Sequence, residues 1–394
     1  MRKTVLLVSY YAPPILNAES ILVWKTLMEM SNHFDLKMLT SALPTGTRVD
    51  PELVLPGTIQ VVRAQTYRPK SRLLGKLSDK ALGWIWDEQY LWATLGRHDP
   101  GAYDILYSRS HPGASHILAY KLKQKTQKPW IAQFSDPWTH NPYHARHTRL
   151  RKTSDAIWER RVIHHADVLV FPTQEILDLY GQTFGSQNIA KKSIILPHHY
   201  VPELYQPEPS QPATAPSATV SFAYFGDFYG VRSPAPLVEA LLQLAANDSD
   251  LLARVVVHFF GNLESKFTSI VDQSPVAITR GRVSYLDSLR QMRRSHVLLL
   301  IDAPFPNGSN PFLASKLIDY LGAGRPILGI TSEKGTAANI LREHGHYVRD
   351  PRDISGIAED IKSCLKTTPS QFNPPSDFTT AHVVGRLVDV MTRL

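Results

Sequence analysis

A chain of 394 residues is too long for one ordinary domain and suits two of roughly 200 each. Apolar residues at 43% and charged residues at 20% describe a globular chain able to bury a large core, and the single cysteine, Cys364, excludes a disulfide framework or a cysteine-built zinc site and fits a reducing compartment. The formal charge of +8 is uneven: residues 1–200 hold 25 basic against 16 acidic side chains, a net of +9, and residues 201–394 hold 18 against 19, so the first half is expected to meet a membrane surface, a phosphorylated lipid or nucleic acid.

Met1-Arg-Lys followed by Thr4-Val-Leu-Leu-Val8 has the outline of a signal peptide. Its apolar part is too short and runs into Ser9-Tyr-Tyr-Ala-Pro-Pro14, so it reads as a first buried strand. No apolar stretch approaches the ~18 residues that span a bilayer. Further strand-like runs follow at 36–39, 59–62, 105–107, 130–134, 168–171 and 194–196, with helical period at 20–30 and 154–165 between them. Five prolines between Pro202 and Pro216 remove backbone donors and predict a semi-rigid linker. The same style resumes with strands expected at 221–225, 255–260, 297–301 and 326–330 and helices at 236–246 and 313–321. Continuous β-branched runs joined by helices imply parallel sheets covered on both faces, here two doubly wound Rossmann-like domains facing a central cleft. The domain expectation is a first Rossmann-like unit over residues 1–202, a Pro-rich linker over 203–219 and a second Rossmann-like unit over 220–375. A final helix in 376–394 is expected to cross back to the first domain.

The stretch from Asn310 to Gly329 carries the most chemistry. A helix starting near Leu313–Ser315 would present its first N–H groups, the Ser315 hydroxyl and the Lys316 ammonium together, a set that binds a diphosphate. Asp319 lies one turn further on the same face, placed to accept hydrogen bonds from a ribose diol. The plain alternative is an ordinary capped helix with a solvated lysine and aspartate.

Ser315-Lys-Leu-Ile-Asp-Tyr-Leu-Gly-Ala-Gly-Arg-Pro-Ile-Leu328 resembles the S-K-x-x-E-Y-L-x-x-G-x-P-[IV]-L segment of GT-B glycosyltransferases, especially the retaining family 4. Tyr224-Phe-Gly-Asp-Phe-Tyr-Gly-Val-Arg-Ser-Pro234 is similar to that family's first C-domain strand and basic loop. The segments at 103–113, 128–138 and 159–167 resemble N-domain patterns of bacterial polysaccharide transferases, in the same order along the chain. The resemblance implies α/β architecture of the GT-B type and a nucleoside diphosphate sugar as donor. It implies donor contacts from Gly226, Arg232, Gly281, Val283, Asn310, Ser315, Lys316, Leu317 and Asp319. No cofactor and no metal are expected.

Leaving-group departure develops charge on the donor phosphate, which Arg232, Lys316 and helix-start N–H groups would stabilise in place of a metal. For a retaining enzyme the resemblance implies that the departing phosphate takes the acceptor proton; for an inverting one Asp136 or His111 would be the base. A surface loop histidine and a helix-capping aspartate are the plain alternatives for these two. Three departures stand out. Counting back eight from Asp319 gives Pro311, so the family's first acid is absent; Ile15-Leu-Asn-Ala18 replaces the usual Gly-Gly; and Gln133-Phe-Ser-Asp-Pro-Trp138 lacks one acid and one arginine.

Asp248-Ser-Asp250 spells D-x-D but lies in a polar loop, and His140, His144 and His147 surround a proline and lack a fourth ligand, so neither is read as a metal site. Gly322-Ala-Gly324 precedes a strand and is a helix stop. Between Tyr67 and Arg97, Arg68, Lys70, Arg72 and Lys76 precede Trp84, Trp86, Tyr90 and Trp92. Basic and aromatic residues together suit the inner face of a plasma membrane, with burial of the aromatics as the alternative. Tyr11 and Arg109 join this basic run as the expected acceptor or membrane contacts. The expectation is therefore a cytoplasmic, membrane-peripheral glycosyltransferase acting on a lipid-linked glycan of bacterial surface polysaccharide. The alternatives are a nucleotide-sugar epimerase of the same fold and a basic nucleic-acid-binding protein.

Overall fold

The apolar runs become parallel strands. A computed structural model of the chain describes residues 2–43, 46–66, 87–141, 148–205, 219–303, 309–367 and 371–394 and divides them into two units. The first, residues 1–198 with 380–394, runs β1 (Thr4–Val8), α1 (Ala18–Met30), β2 (Asp35–Ser41), β3 (Gln60–Ala64), α2 (Glu88–Leu95), β4 (Ile105–Ser110), α3 (Ala114–Thr126), β5 (Trp130–Phe134), α4 (Arg149–His165), β6 (Val168–Phe171), α5 (Gln174–Phe184), α6 (Ser186–Ala190) and β7 (Ser193–Ile195). The strands form one parallel sheet in the order β3-β2-β1-β4-β5-β6-β7. Alternation along β1 sends Leu6 and Val8 to one face, with Trp92, Ile117, Val162 and Tyr180 of the helices that follow. Val5 and Leu7 point to the other face, against Val23 and Leu27 of α1.

The second unit, residues 199–379, runs β8 (Val220–Phe225), α7 (Ala235–Asn247), α8 (Ser249–Leu252), β9 (Val255–Phe260), α9 (Ser265–Val271), β10 (Ala277–Gly281), α10 (Tyr285–Arg294), β11 (Val297–Ile301), β12 (Ser309–Asn310), α11 (Ser315–Ala323), β13 (Ile327–Ile330), β14 (Lys334–Gly335), α12 (Thr336–Glu343), β15 (Tyr347–Arg349) and α13 (Ile354–Cys364). Its parallel sheet has the order β10-β9-β8-β11-β13-β15. The last helix, α14 (Thr380–Arg393), belongs to the first unit, where Val383, Val384, Leu387 and Met391 fill the same cluster as Val5 and Val23.

Two details differ from the sequence reading. The residues Pro202–Tyr205, placed in or beside the linker, form a short 3-10 turn, and Tyr205 is buried with its hydroxyl on Asp319. The rest of the proline run lies outside the described residues. The edge strands β10 and β15 carry no fully buried side chain, which is why no apolar run announced them. Among the described residues no helix is long and apolar enough to cross a membrane.

Candidate functional site

In an open parallel sheet, ligands bind beyond the carboxyl ends of the strands where strand order reverses. In the second unit that point lies between β8 and β11. Gly226 follows β8 at φ +131°, and a Cβ added to Gly261, after β9, would meet the Gly226 carbonyl oxygen at 1.9 Å. Two bare backbones therefore touch here, and no larger residue fits at Gly261. The space above Gly226 is filled from another element: a Cβ there would meet the Lys316 ammonium at 2.6 Å.

Lys316 stands in the first turn of α11. Its Nζ donates to the Tyr224 hydroxyl at 3.0 Å and lies 4.2 Å from the centre of that ring. Arg232 hydrogen-bonds the same hydroxyl and places its guanidinium 5.6 Å from the Tyr229 ring. Burial, and then the neighbouring Arg232, push the Lys316 pKa well below that of a free lysine, against the opposing pull of Asp302 and Asp227. Burial holds the Tyr224 phenol protonated. Lys316 and Arg232 thus converge on one hydroxyl at a helix start whose N-cap residue, Ala314, supplies no side-chain acceptor. Basic side chains beside the N–H groups of a helix start form an arrangement suited to an anion. Asp227 braces the loop, accepting from Arg282 Nε and Nη2 and from the Asn262 N–H. Asp302 accepts from Thr331 at 3.0 Å.

The remaining expected donor contacts divide. Ser315 opens α11 beside Lys316. Gly281, at φ +71°, accepts from the Gly261 N–H at 2.8 Å, so it supports the glycine contact from the neighbouring strand, and half-exposed Val283 follows it. The Leu317 side chain is fully buried in the core, which removes it as a side-chain contact. The Asn310 side chain accepts from Phe312 N–H at 3.0 Å and shapes its own turn. Asp319 is 5% exposed and its Oδ1 receives the hydroxyls of Tyr205 and Tyr285. The carboxylate expected to face a ribose is therefore engaged with two tyrosines. Asp248 caps α8 and pairs with Lys362, at the opposite edge of the sheet from the strand ends.

In the first unit strand order reverses between β1 and β4. Arg109, expected at a surface, is 2% exposed: its Nε donates to Glu19 at 2.8 Å and its Nη1 reaches Thr26 and Tyr107. It cannot act as a contact for a membrane. Glu19, in the first turn of α1, also accepts from Ser135 Oγ at 2.6 Å and from the His111 N–H. It ties α1 to the ends of β4 and β5, the strands that carry His111 and Asp136. The sequence reading missed Glu19; its only signal was an acid in the first turn of α1, two residues after the Asn17 N-cap.

Burial, and then the Glu19 charge, raise the Asp136 pKa to about 7. Asp136 is half-buried. Among the described residues Pro137 is followed by a turn and no helix before α4 at Arg149, so Asp136 is not the cap of an adjoining helix. His111 is half-buried at the end of β4. The Tyr11 hydroxyl accepts from Gln89 at 3.1 Å. Trp92 is a core residue, its indole N–H on the Ala64 carbonyl at 3.0 Å. Arg68, Lys70, Arg72 and Lys76, with Trp84 and Trp86, lie outside the described residues, as do His144 and His147.

No family model and no curated protein matches the chain. Solved structures do. Sucrose-phosphate synthase from Thermosynechococcus elongatus superposes with a TM-score of 0.69 at 13% identity, over 100% of this chain and 99% of that one. Anabaena HepE in complex with UDP-glucose gives 0.67 at 13%, over 100% of both chains. WaaG, a glycosyltransferase involved in lipopolysaccharide biosynthesis, gives 0.61 at 13%, over 99% of each. Similarity over whole chains, with two parallel sheets each flanked by helices, shows the GT-B fold of two Rossmann-like domains.

Proposed function

We propose that the chain is a glycosyltransferase that takes a sugar from a nucleoside diphosphate sugar and transfers it to a lipid-linked glycan of bacterial surface polysaccharide. The observation that carries the reading is the pairing of Lys316 and Arg232 on Tyr224 at the start of α11, beyond the strand ends where order reverses. A diphosphate would add negative charge beside Lys316 and Arg232. As the sugar leaves, charge grows on the distal phosphate, and protonated Lys316, Arg232 and the first N–H groups of α11 would stabilise it. That arrangement supplies without a metal what a divalent cation supplies elsewhere. Asp319 would reach the ribose by exchanging a tyrosine hydroxyl for a sugar hydroxyl.

The resemblance favours retention, in which the departing phosphate accepts the acceptor proton. Asp136 and His111 of the first unit then orient the acceptor. In an inverting enzyme Asp136, titrating near neutrality, would be the base. The anomeric configuration of the product separates these two roles. The protein is read as membrane-peripheral, on the cytoplasmic face.

The test is a thermal-shift and calorimetric screen against UDP-, GDP-, ADP-, dTDP- and CMP-linked sugars, headed by UDP-glucose because HepE holds it. One donor should stabilise the second unit, and Lys316→Ala and Arg232→Ala should each abolish that stabilisation and transfer in a protein that stays folded. Near-normal transfer in both variants would remove the proposed donor site. A free epimerised nucleotide sugar formed without acceptor would replace transfer by epimerisation. Nucleic-acid binding with a steep salt dependence and no nucleotide-sugar affinity would overturn the reading altogether.

A further inference from the structure

Helix α4 sorts its charges by side. Its inward face buries Asp155, Glu159, Val162 and Ile163. Both acids of the helix thus point into the unit, Asp155 on Arg151 at 3.0 Å and Glu159 receiving the hydroxyls of Thr139 and Tyr180. The outward face carries Leu150, 62% exposed, and Ile157, 48% exposed. Seven residues apart, they lie two turns from each other on one stripe. At 100° per residue, Arg149 and Arg160 fall on one flank of that stripe and Arg161 on the other, all three exposed. The Arg161 guanidinium lies 4.7 Å from the Trp158 ring centre and that of Arg160 lies 5.9 Å from Phe184, so both are drawn along the surface. Helix α3 packs beside α4 and exposes Lys125.

We propose that this face docks the first unit onto an anionic phospholipid bilayer, its arginines on lipid phosphates and Leu150 and Ile157 in the interfacial layer. A helix face meant only for water intersperses acids with its bases, because opposite charges three or four residues apart stabilise it and like charges do not. The centre of a protein–protein interface is depleted of charge. The α4 face has neither pattern: its exposed charges have one sign and bracket an isolated aliphatic pair, which complements a flat anionic layer with an apolar interior beneath it. The first half of the chain, with its net +9, is the half that carries this helix. The inference deepens the proposed function by naming the surface that meets the bilayer, and it rests on the lipid-linked acceptor of that reading.

The experiment is co-sedimentation of the full chain with phosphatidylcholine vesicles, with and without phosphatidylglycerol, alongside nucleotide-sugar binding by calorimetry. The chain should bind the anionic vesicles, less so at high salt, and not the neutral ones. Arg149→Gln/Arg160→Gln/Arg161→Gln should lower vesicle affinity by roughly 100-fold, at about fivefold for each cation held near an anionic surface. Leu150→Asn/Ile157→Asn should lower it by about tenfold with the salt dependence kept. Neutralising Lys334, Lys366 and Arg352, exposed on the second unit, should leave it unchanged. Equal losses in the α4 and control variants would reduce the effect to overall charge and overturn the docking face. An arginine variant that weakens heparin binding as much as vesicle binding, with no effect of the Leu150/Ile157 change, would point to a soluble polyanion instead. Loss of vesicle binding with normal nucleotide-sugar affinity leaves the transferase reading intact, whereas absent nucleotide-sugar affinity with normal vesicle binding sinks that reading and spares the face.

Discussion

Replacing Glu19 by alanine removes the partner of a buried guanidinium. Glu19 is 7% exposed and Arg109 2%, their atoms 2.8 Å apart, and the same carboxylate receives Ser135 Oγ and the His111 N–H. An unpaired charge left in such a place costs about 3–5 kcal/mol. For a unit of this size each kcal/mol shifts the melting temperature by about 2–4 °C, so the first unit should melt about 10 °C lower. All seven tryptophans lie at or before Trp158, within the first unit's sequence, so tryptophan emission follows that unit alone. Glu19→Leu/Arg109→Met, which removes both charges, should recover most of the loss, because an apolar pair carries no desolvation penalty. A shift under about 2 °C for Glu19→Ala, or a double variant as unstable as the sum of the singles, would refute the account of a buried charge pair.

Lys316, its pKa held down by burial and by Arg232, should take up a proton when a diphosphate arrives. Donor affinity should then weaken as pH rises, and calorimetry in buffers of different ionisation enthalpy should show net proton uptake; none would mean that the lysine is already charged. Asp136 titrates at about 7 in the folded chain against ~3.9 unfolded, so the folded state holds that proton more tightly. Its contribution is full below the unfolded value and is lost as pH rises through 7, a drop of up to about 3 kcal/mol after allowance for partial solvent access. Asp136→Asn should flatten the pH dependence of tryptophan-detected melting between those limits; an unchanged slope would assign it to other groups. Gly261→Ala should force apart the loops after β8 and β9, since its Cβ would meet the Gly226 carbonyl at 1.9 Å at a φ of +149°. Nucleotide-sugar affinity should fall at least tenfold, and unaltered affinity would show that this contact does not shape the donor site.

The two sheets were legible because every central strand is an apolar run, such as Val297–Ile301, set between helices of clear period. The edge strands β10 and β15 were not, because one partner and a half-solvated face leave no continuous apolar signature. Lys316 and Arg232 stood out as a spaced motif on local elements. Tyr224, which joins them, read as one more core aromatic in a strand.

The amino-acid order alone determined the parallel architecture, the paired units and the basic residues Arg232 and Lys316 as candidates, since these depend on local periodicity and on residues close in sequence. Tertiary structure decided which charges are available. Arg109 looked like a surface cation and is buried on Glu19, 90 residues away. Asp319 looked open and is held by Tyr205 and Tyr285, 114 and 34 residues away. On α4 the acids turn inward and the arginines outward. Ion pairing and burial are set by neighbours brought together through folding, so no local pattern could have settled them.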